Sequence, residues 1–543
     1  MLAITKTAGL SGIRGMEVTV EAVAEHGLPA YHVIGLGDTA VKESAERVRG
    51  AILNSGFTYP KGRLTVNLSP AWVRKSGSHY DLAIAVAILA AQGLIRQEAL
   101  VGRAFLGELN LSGEVQGVRG VLPMMCGLNG NMREVYLAQA NLREAGLAAR
   151  DSGTSVIAVQ DLRKLIAVLR GEAAKPSTDL RRMWQGVYTT GSRQTLQGAH
   201  TVEAHTGNMQ MAETSEEDAA QSAELDFADV KGQFAAKEAI VTAVSGGHGI
   251  LLIGSPGTGK TMLARRIPTI LPEMTQAEQL ETSMIYSVAG KLDENTPIIR
   301  RRPFRELNHT ITPAGLLGGG NDPQPGEVSL AHNGILFMDE FLEFGRQKTE
   351  LLRKPMEEGE IRLLRRGQRY VFPAEFSLVA ASNPCPCGYL GDETHPCSCS
   401  RTQIDKYRAH LSGPLCERID MCVEIRRADY EALHAPATGS SAEMRERVLR
   451  AREIQKTRFA GSCVRCNAAM HEAQLQEFCM PDEAGKAFLR LAYERYHLSP
   501  RRYHKILKLA RTIADVRGDA VIGQPHLAGA LQYTRFFDER DEA

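Results

Sequence analysis

The chain has no charge of one sign to spare: 64 Lys and Arg stand against 63 Asp and Glu, a formal net charge of +1 over 543 residues. That balance excludes a surface that coats nucleic acid or membrane through net charge, so any basic surface must be local. Long hydrophobic runs are missing too. The longest, LAIAVAILAA from Leu82 to Ala91, falls short of the ~20 residues a membrane-spanning helix needs and reads as a buried helix. Cysteine is scarce, ten in all, and clustered rather than spread as a disulfide framework would be. The opening MLAITKTAGLSGIRG lacks a basic-then-apolar leader, which predicts a cytoplasmic protein with reduced thiols and no membrane partner. No internal repeat is visible. What is present is ordinary globular material, 43% hydrophobic and 23% charged, long enough for roughly three domains.

Residues 1–170 alternate strand and helix signals. From 171 to 224 aliphatic residues thin out and no period persists, which predicts a linker, at least partly disordered. Residues 225–428 alternate buried strands with helices, the pattern of an α/β, doubly wound parallel sheet. From 429 to 543 the signals are helical.

GILLIGSPGTGKTMLARRI is the most informative stretch. Ile250 to Ile253 is a continuous apolar run, as a strand covered on both faces requires. Gly254, Ser255, Pro256, Gly257, Thr258, Gly259, Lys260 and Thr261 match G-x-x-x-x-G-K-[ST], and Leu263, Ile267 and Ile270 follow on one helical face. A strand before and a helix after is the context that makes this motif a phosphate-binding loop. Lys260 would reach the β- and γ-phosphates of ATP, and Thr261 Oγ1 would bind Mg²⁺. NGILFMDEF supplies the carboxylates: Asp339 to hold Mg²⁺ through water, Glu340 to orient and deprotonate the attacking water. A third strand, in EFSLVAASN, ends on Asn383, placed to bond that water or the γ-phosphate. It runs into NPCPCGYLGDETHPCSCS, where Cys385, Cys387, Cys397 and Cys399 form two C-x-C pairs. Four such thiols suit tetrahedral Zn²⁺, with His395 as a spare ligand. The alternative is a set of reduced loop thiols, since each C-x-C closes a tighter ring than the usual C-x-x-C. A further pair, Cys463 and Cys466, has no partner pair and is left unassigned.

In that order, phosphate loop, Asp-Glu and strand-terminal Asn resemble an AAA+ ATPase. The strings DVKGQFAAKEAIVTAVSGGHGILLIGSPGTGKTMLARRIPTILP, LGGGNDPQPGEVSLAHNGILFMDE, NPCPCGYLGD and LSGPLCERIDMCVEI resemble the YifB/ComM family of the magnesium-chelatase-like branch. One departure is RPFRELNHT, where the family usually has Pro-His before His-Thr. The resemblance implies a homo-hexameric ring with ATP at subunit interfaces. It makes Arg418 the arginine finger and Arg501, rather than Arg502, the sensor arginine of a C-terminal helical lid domain. GLPAYHVIGLGDTAVKESAERVRGAI, LTVNLSPAWVRKSGSHYDLAIAVAILAA and LGELNLSGEVQGVRGVLP resemble the Lon-protease-like domain that the family carries at its N-terminus. A Lon peptidase pairs a Ser nucleophile with a Lys. Here the nucleophile position holds His79, no Lys stands near Gly120 to Leu122, and Ser76 and Ser78 have no visible base, so the domain is expected to be non-proteolytic.

EEGEIRLLRRGQRYVFPAEF reads as a hairpin, Ile361 to Leu364 and Arg369 to Phe372 around Gly367. Related AAA+ helicases project such a hairpin into the ring channel. Arg362, Arg365, Arg366 and Arg369 would there neutralise phosphates of single-stranded or branched DNA with little sequence preference; the plain alternative is a solvated hairpin packed on a neighbour. The function the resemblance implies is an ATP-driven DNA translocase or branch-migration helicase, acting with recombinase machinery on incoming DNA in natural transformation. A chelatase-type motor that remodels a protein partner, and a Lon-like protease, are the rival readings.

Overall fold

The structure, a computed structural model, describes residues 1–128, 130–150, 152–176, 225–293, 297–409, 418–428, 430–434, 439–462 and 464–534. The expected linker lies outside these residues from 177 onward, as do Cys463 and the stretch 410–417 before Arg418.

The N-terminal sheet has seven strands in the order Ala30–Ile34, Arg63–Ser69, Arg14–Glu25, Leu2–Ser11, Arg103–Phe105, Glu134–Ala138, Ser155–Val159. Arg14–Glu25 pairs antiparallel with Leu2–Ser11 and with Arg63–Ser69, and the remaining strands join in parallel. Arg63–Ser69 buries Leu64, Val66 and Leu68, every second residue, as a sheet with one covered face does. The apolar run becomes the helix Asp81–Ala91 with every residue buried, the fate of a helix that is apolar all round.

The central sheet has five parallel strands in the order Phe304–Leu307, Ile335–Met338, Ser377–Ser382, Ile250–Ile253, Met421–Glu424. Ile250–Ile253 and Ile335–Met338 are buried at every position, because helices cover both faces of a parallel sheet. The fold is therefore mixed α/β with a phosphate-loop core. The register sets the site. Ile253 pairs with Ser382, and Met338 with Ala380, so Gly254, Asp339 and Asn383 leave neighbouring strands at the same carboxyl edge, where open α/β sheets bind ligands. The helix after the loop is short, Lys260–Arg266, and tightens into a 3₁₀ turn over Ile267–Ile270 that contains Pro268, which has no N–H to continue an α-helix. Leu263, Ile267 and Ile270 are all buried even so.

C-terminal helices Ser441–Arg458, Glu483–Arg495 and Pro500–Arg517 each start on a capping side chain, Ser440, Asp482 and Ser499. They share one hydrophobic cluster with helix Phe234–Gly246 and the central sheet. Buried His248 ties the two together, with Nδ1 2.9 Å from Asp420 Oδ2 and Nε2 2.9 Å from Thr512 Oγ1. The N-terminal domain docks on the core through Gly120 N–H, which donates to Ser287 O at 3.1 Å, and through Glu144, which accepts from Leu122 N–H and the Ser287 hydroxyl. Among the described residues no helix is long and apolar enough to cross a membrane.

Candidate nucleotide site

Gly254 to Gly259 wrap the carboxyl end of Ile250–Ile253. Gly257 and Gly259 have φ of +77° and +93°, with open space where a Cβ would stand, so only glycine suits the backbone there and the hollow above it stays clear. Gly254 is glycine for a different reason, since a Cβ would lie 2.2 Å from Ile425 O. Lys260 is 9% exposed. Its Nζ donates to Gly254 O at 2.6 Å, Ser255 O at 2.9 Å and Asn383 Oδ1 at 3.2 Å. Burial lowers its pKa, against the pull of Asp339 and Glu340. An ammonium that is desolvated and ringed by oxygens is suited to an anion such as a phosphate.

Thr261 Oγ1 donates to Asp339 Oδ2 at 2.8 Å. This pair of hard oxygens beside the phosphate hollow is the donor set that suits Mg²⁺. Glu340 follows with φ +50°, a left-handed backbone that costs a non-glycine residue on the order of 1 kcal/mol. Its N–H donates to Asp339 Oδ1 at 2.9 Å, and the turn throws its carboxylate outward. There His309 Nδ1 lies 3.7 Å from Glu340 Oε2, and Lys348 holds the His309 carbonyl. His309 belongs to RPFRELNHT, the segment that departs from the family pattern. Sequence reading gave it no role, although Leu307 pairs with Met338 and so carries His309 to the same edge as Glu340.

Lys260 is thus bonded to Asn383 and Thr261 to Asp339, with Glu340 next to Asp339. Arg418 and Arg501 form a second group. Both pair with Glu357, Arg501 Nη2 at 3.5 Å, and burial together with the neighbouring Arg501 and Arg353 lowers the Arg418 pKa. Arg502 turns the other way and donates to Thr534 O at 2.8 Å.

The cysteine loop lies directly on the phosphate loop. A Cβ on Gly388 would sit 2.7 Å from Pro256 Cδ. Asp392 accepts from Thr394 and from the Ser255 hydroxyl, bonds that hold its carboxyl far below the ordinary range. Neither residue was singled out in the sequence, because no local pattern shows where a loop folds back. The Sγ atoms of Cys385, Cys387 and Cys397 are 3.3–3.7 Å apart, and all four thiols lie within 4.8 Å of one another. A tetrahedron with Zn–S of ~2.3 Å has S–S edges of about 3.8 Å, so these side chains fit a zinc ion. Backbone N–H groups of Tyr389 and Ser398 bring the Cys387 thiol down to about 5. His395 is outside this group and contacts Thr394 Oγ1 instead. Cys466 packs against Gly247.

The hairpin runs Glu360–Arg365 and Gln368–Pro373. Its tip is the two residues Arg366 and Gly367, φ +48° and +78°, the left-handed pair of the turn that best matches strand twist. The four arginines are not equivalent. Arg362 pairs with Glu358 and Glu360, and Arg369 lies 4.0 Å from Glu360. Arg365 and Arg366 have no acidic partner among the described residues. In the N-terminal domain Ser76 Oγ donates to Asp322 Oδ1 at 2.9 Å and Ser78 Oγ to Glu108. Lys75 is fully buried on the Pro70 carbonyl, and burial lowers its pKa.

Three family models match the chain: "Magnesium chelatase, subunit ChlI" over residues 226–433, "Subunit ChlI of Mg-chelatase" over 20–141, and "Magnesium chelatase, subunit ChlI C-terminal" over 438–534. Competence protein ComM of Haemophilus influenzae is 38% identical over 536 residues, 98% of this chain and 97% of that protein. YifB of Escherichia coli is 35% identical over 539 residues, 98% and 97% of the two chains. The magnesium-chelatase 38 kDa subunit of Rhodobacter capsulatus is 30% identical over 347 residues, 58% of this chain and 89% of that one.

Proposed function

The chain belongs to the YifB/ComM family of magnesium-chelatase-like AAA+ ATPases, and on that footing we propose that it is a ring-forming motor that couples ATP hydrolysis to movement along DNA. Its relative's name, competence protein, supports a role in recombination of incoming DNA during natural transformation. In this reading residues 225–428 are the motor core, 429–543 its helical lid, and 1–170 a Lon-like domain with no peptidase function. The setting is the cytoplasm and the assembly a hexamer.

The backbone of Ser255 to Gly259 and Lys260 Nζ bind the phosphates of ATP. Thr261 and Asp339 would hold Mg²⁺, which neutralises phosphate charge when bound. Glu340 takes the proton of the water that attacks the γ-phosphate, and His309 holds the Glu340 carboxylate in place. Asn383 bonds that water or the γ-phosphate. Arg418, with Arg501 beside it, reaches the nucleotide of the neighbouring subunit once Glu357 releases it. Cys385, Cys387, Cys397 and Cys399 would hold a structural Zn²⁺ that fixes the loop above Pro256. The DNA half of the proposal is carried by the hairpin tip. A ribbon that presents Arg365 and Arg366 without acidic partners can neutralise phosphates and read no base.

The test is the ATPase rate of the full chain with and without single-stranded or branched DNA. Stimulation of severalfold, falling steeply as salt rises, is expected. An unchanged rate with every DNA form would favour a motor that remodels a protein partner.

A further inference from the structure

Arg418 stands just before strand Met421–Glu424, and the strand alone does not hold that entry. Asp420 and Met421 N–H both donate to Gly249 O at 3.0 Å, so the residue after His248 carries the start of the strand. The His248 side chain is fully buried. Its Nδ1 faces Asp420 Oδ2, two residues beyond Arg418, and its Nε2 faces Thr512 Oγ1, each at 2.9 Å. Thr512 gives its own hydrogen to Lys508 O at 2.9 Å, so its oxygen accepts from His248. Burial pushes the Asp420 carboxyl up, but its bond to His248 and the nearby charges of His248, Lys505 and Lys508 hold it below its usual value. A charged acceptor therefore meets the ring on one side and the C-terminal helix Pro500–Arg517 on the other.

That helix adds a second tie. Arg501, Lys505, Lys508 and Thr512 recur four, three and four residues apart, a spacing that lines them along one stripe. Lys505 Nζ donates to Ile419 O at 2.6 Å and Lys508 Nζ to Ala468 O at 2.8 Å. Arg501, at the head of the stripe, shares Glu357 with Arg418. The two residues directly after Arg418 are thus pinned to the helix that bears Arg501, Ile419 by Lys505 and Asp420 through His248. A guanidinium on a long side chain loses its aim when its backbone shifts, and a misplacement of ~1 Å can cost ~10²-fold in rate.

We infer that His248 is a positioning residue: by joining Asp420 to Thr512 it mounts Arg418 and Arg501 as one unit, so that both arginines reach a neighbouring subunit's nucleotide together. This rests on the proposed role of Arg418 as an arginine finger, and the test separates the two.

Two variants cut the bridge without touching Arg418, Arg501 or the phosphate loop. Thr512→Val is nearly isosteric, and His248→Asn keeps an N–H for Asp420 but is too short to reach Thr512. Each should lower kcat for ATP by about 10–10²-fold, while KM changes by less than about twofold, the split expected when an interaction made only in the transition state is lost. A histidine that serves packing alone would lower the melting temperature and leave kcat per folded chain at the parental value. Mixing either variant with Glu340→Gln, whose own arginines are intact, should raise hydrolysis above the sum of the two alone. The same rescue is expected for Arg418→Ala, because an intact Lys260 and Glu340 then meet a well-mounted arginine from the neighbour. Parental turnover by Arg418→Ala would remove the finger, and the role of His248 with it. If Arg418→Ala is impaired and rescued, parental kcat in Thr512→Val and His248→Asn would overturn the role of His248 alone. So would an impairment in both that Glu340→Gln does not relieve.

Discussion

Glu340 occupies a left-handed turn at the end of a buried strand, and its carboxylate stands outward beside His309. Glu340→Gln keeps size and geometry and removes the base. It should therefore bind ATP while lowering turnover by ~10²–10⁴-fold. Nucleotide-binding fluorescence against phosphate release separates the two, and parental turnover would remove Glu340 as the base. Lys260→Ala should lose binding itself, because among the described residues the ammonium is the only full positive charge bonded to the loop carbonyls. Gly388→Ala is a sharper probe of contact. At φ +87° with Pro256 2.7 Å away, a methyl group must displace the loop or the phosphate loop, at a cost of about 1–3 kcal/mol. Reduced ATP affinity without loss of the fold is expected, read by titration and thermal melting. The motif residues were legible because strand, glycine and lysine spacing encode them locally. His309, Gly388 and Asp392 were not, since each comes to the site through strand register or loop reversal.

The hairpin and the cysteine loop flank one strand, Ser377–Ser382, and Asn383 follows it directly. Both were visible in the sequence. β-Prone runs around Arg-Gly-Gln located the hairpin to within a residue at each end, and the double C-x-C located the thiol group. What the sequence hid was the inequality of the arginines: Arg362 reaches back to Glu358 and Glu360 only because the chain turns at Gly359 from helix to strand. Arg365→Ala with Arg366→Ala should therefore account for most of the DNA contact. It should weaken binding and lower the log-log salt slope by about 2 per engaged subunit, while basal ATPase persists. A variant with two remaining surface arginines changed instead would not show this. On the other flank, elemental analysis should find about one zinc per chain, lost in Cys385→Ser with Cys397→Ser. Because the loop rests on Pro256 and Ser255, stripping the metal with a chelator should also weaken ATP binding. A metal-free chain with parental ATP affinity would reduce the four thiols to packing.

At the scale of the whole chain, the alternation of buried strands and helices announced the parallel sheet, and the one all-apolar helix announced the N-terminal core. The seating of the N-terminal domain on the central sheet's domain was not legible. Gly120 on Ser287 and Gly12 against Val371 are meetings of surfaces far apart in sequence, and no periodicity encodes them. That seating sets Ser76 against Asp322, so on the proposed non-proteolytic reading of this domain peptide or casein cleavage should be absent, and Ser76→Ala and Ser78→Ala should leave ATPase unchanged. Cleavage abolished by either change would restore a peptidase. In the proposed ring Arg418 and Arg501 act on a neighbour's nucleotide, so ATP with Glu340→Gln should shift sedimentation toward a hexamer. The central claim, that hydrolysis at Lys260 and Glu340 drives DNA through a grip at the hairpin tip, is tested most directly by ATP-dependent strand displacement on a labelled branched DNA. The parent should move the branch only with hydrolysable ATP, and the Arg365→Ala, Arg366→Ala chain should hydrolyse ATP at its basal rate and move nothing. Branch movement by that variant at the parental rate, or none by the parent, would contradict it.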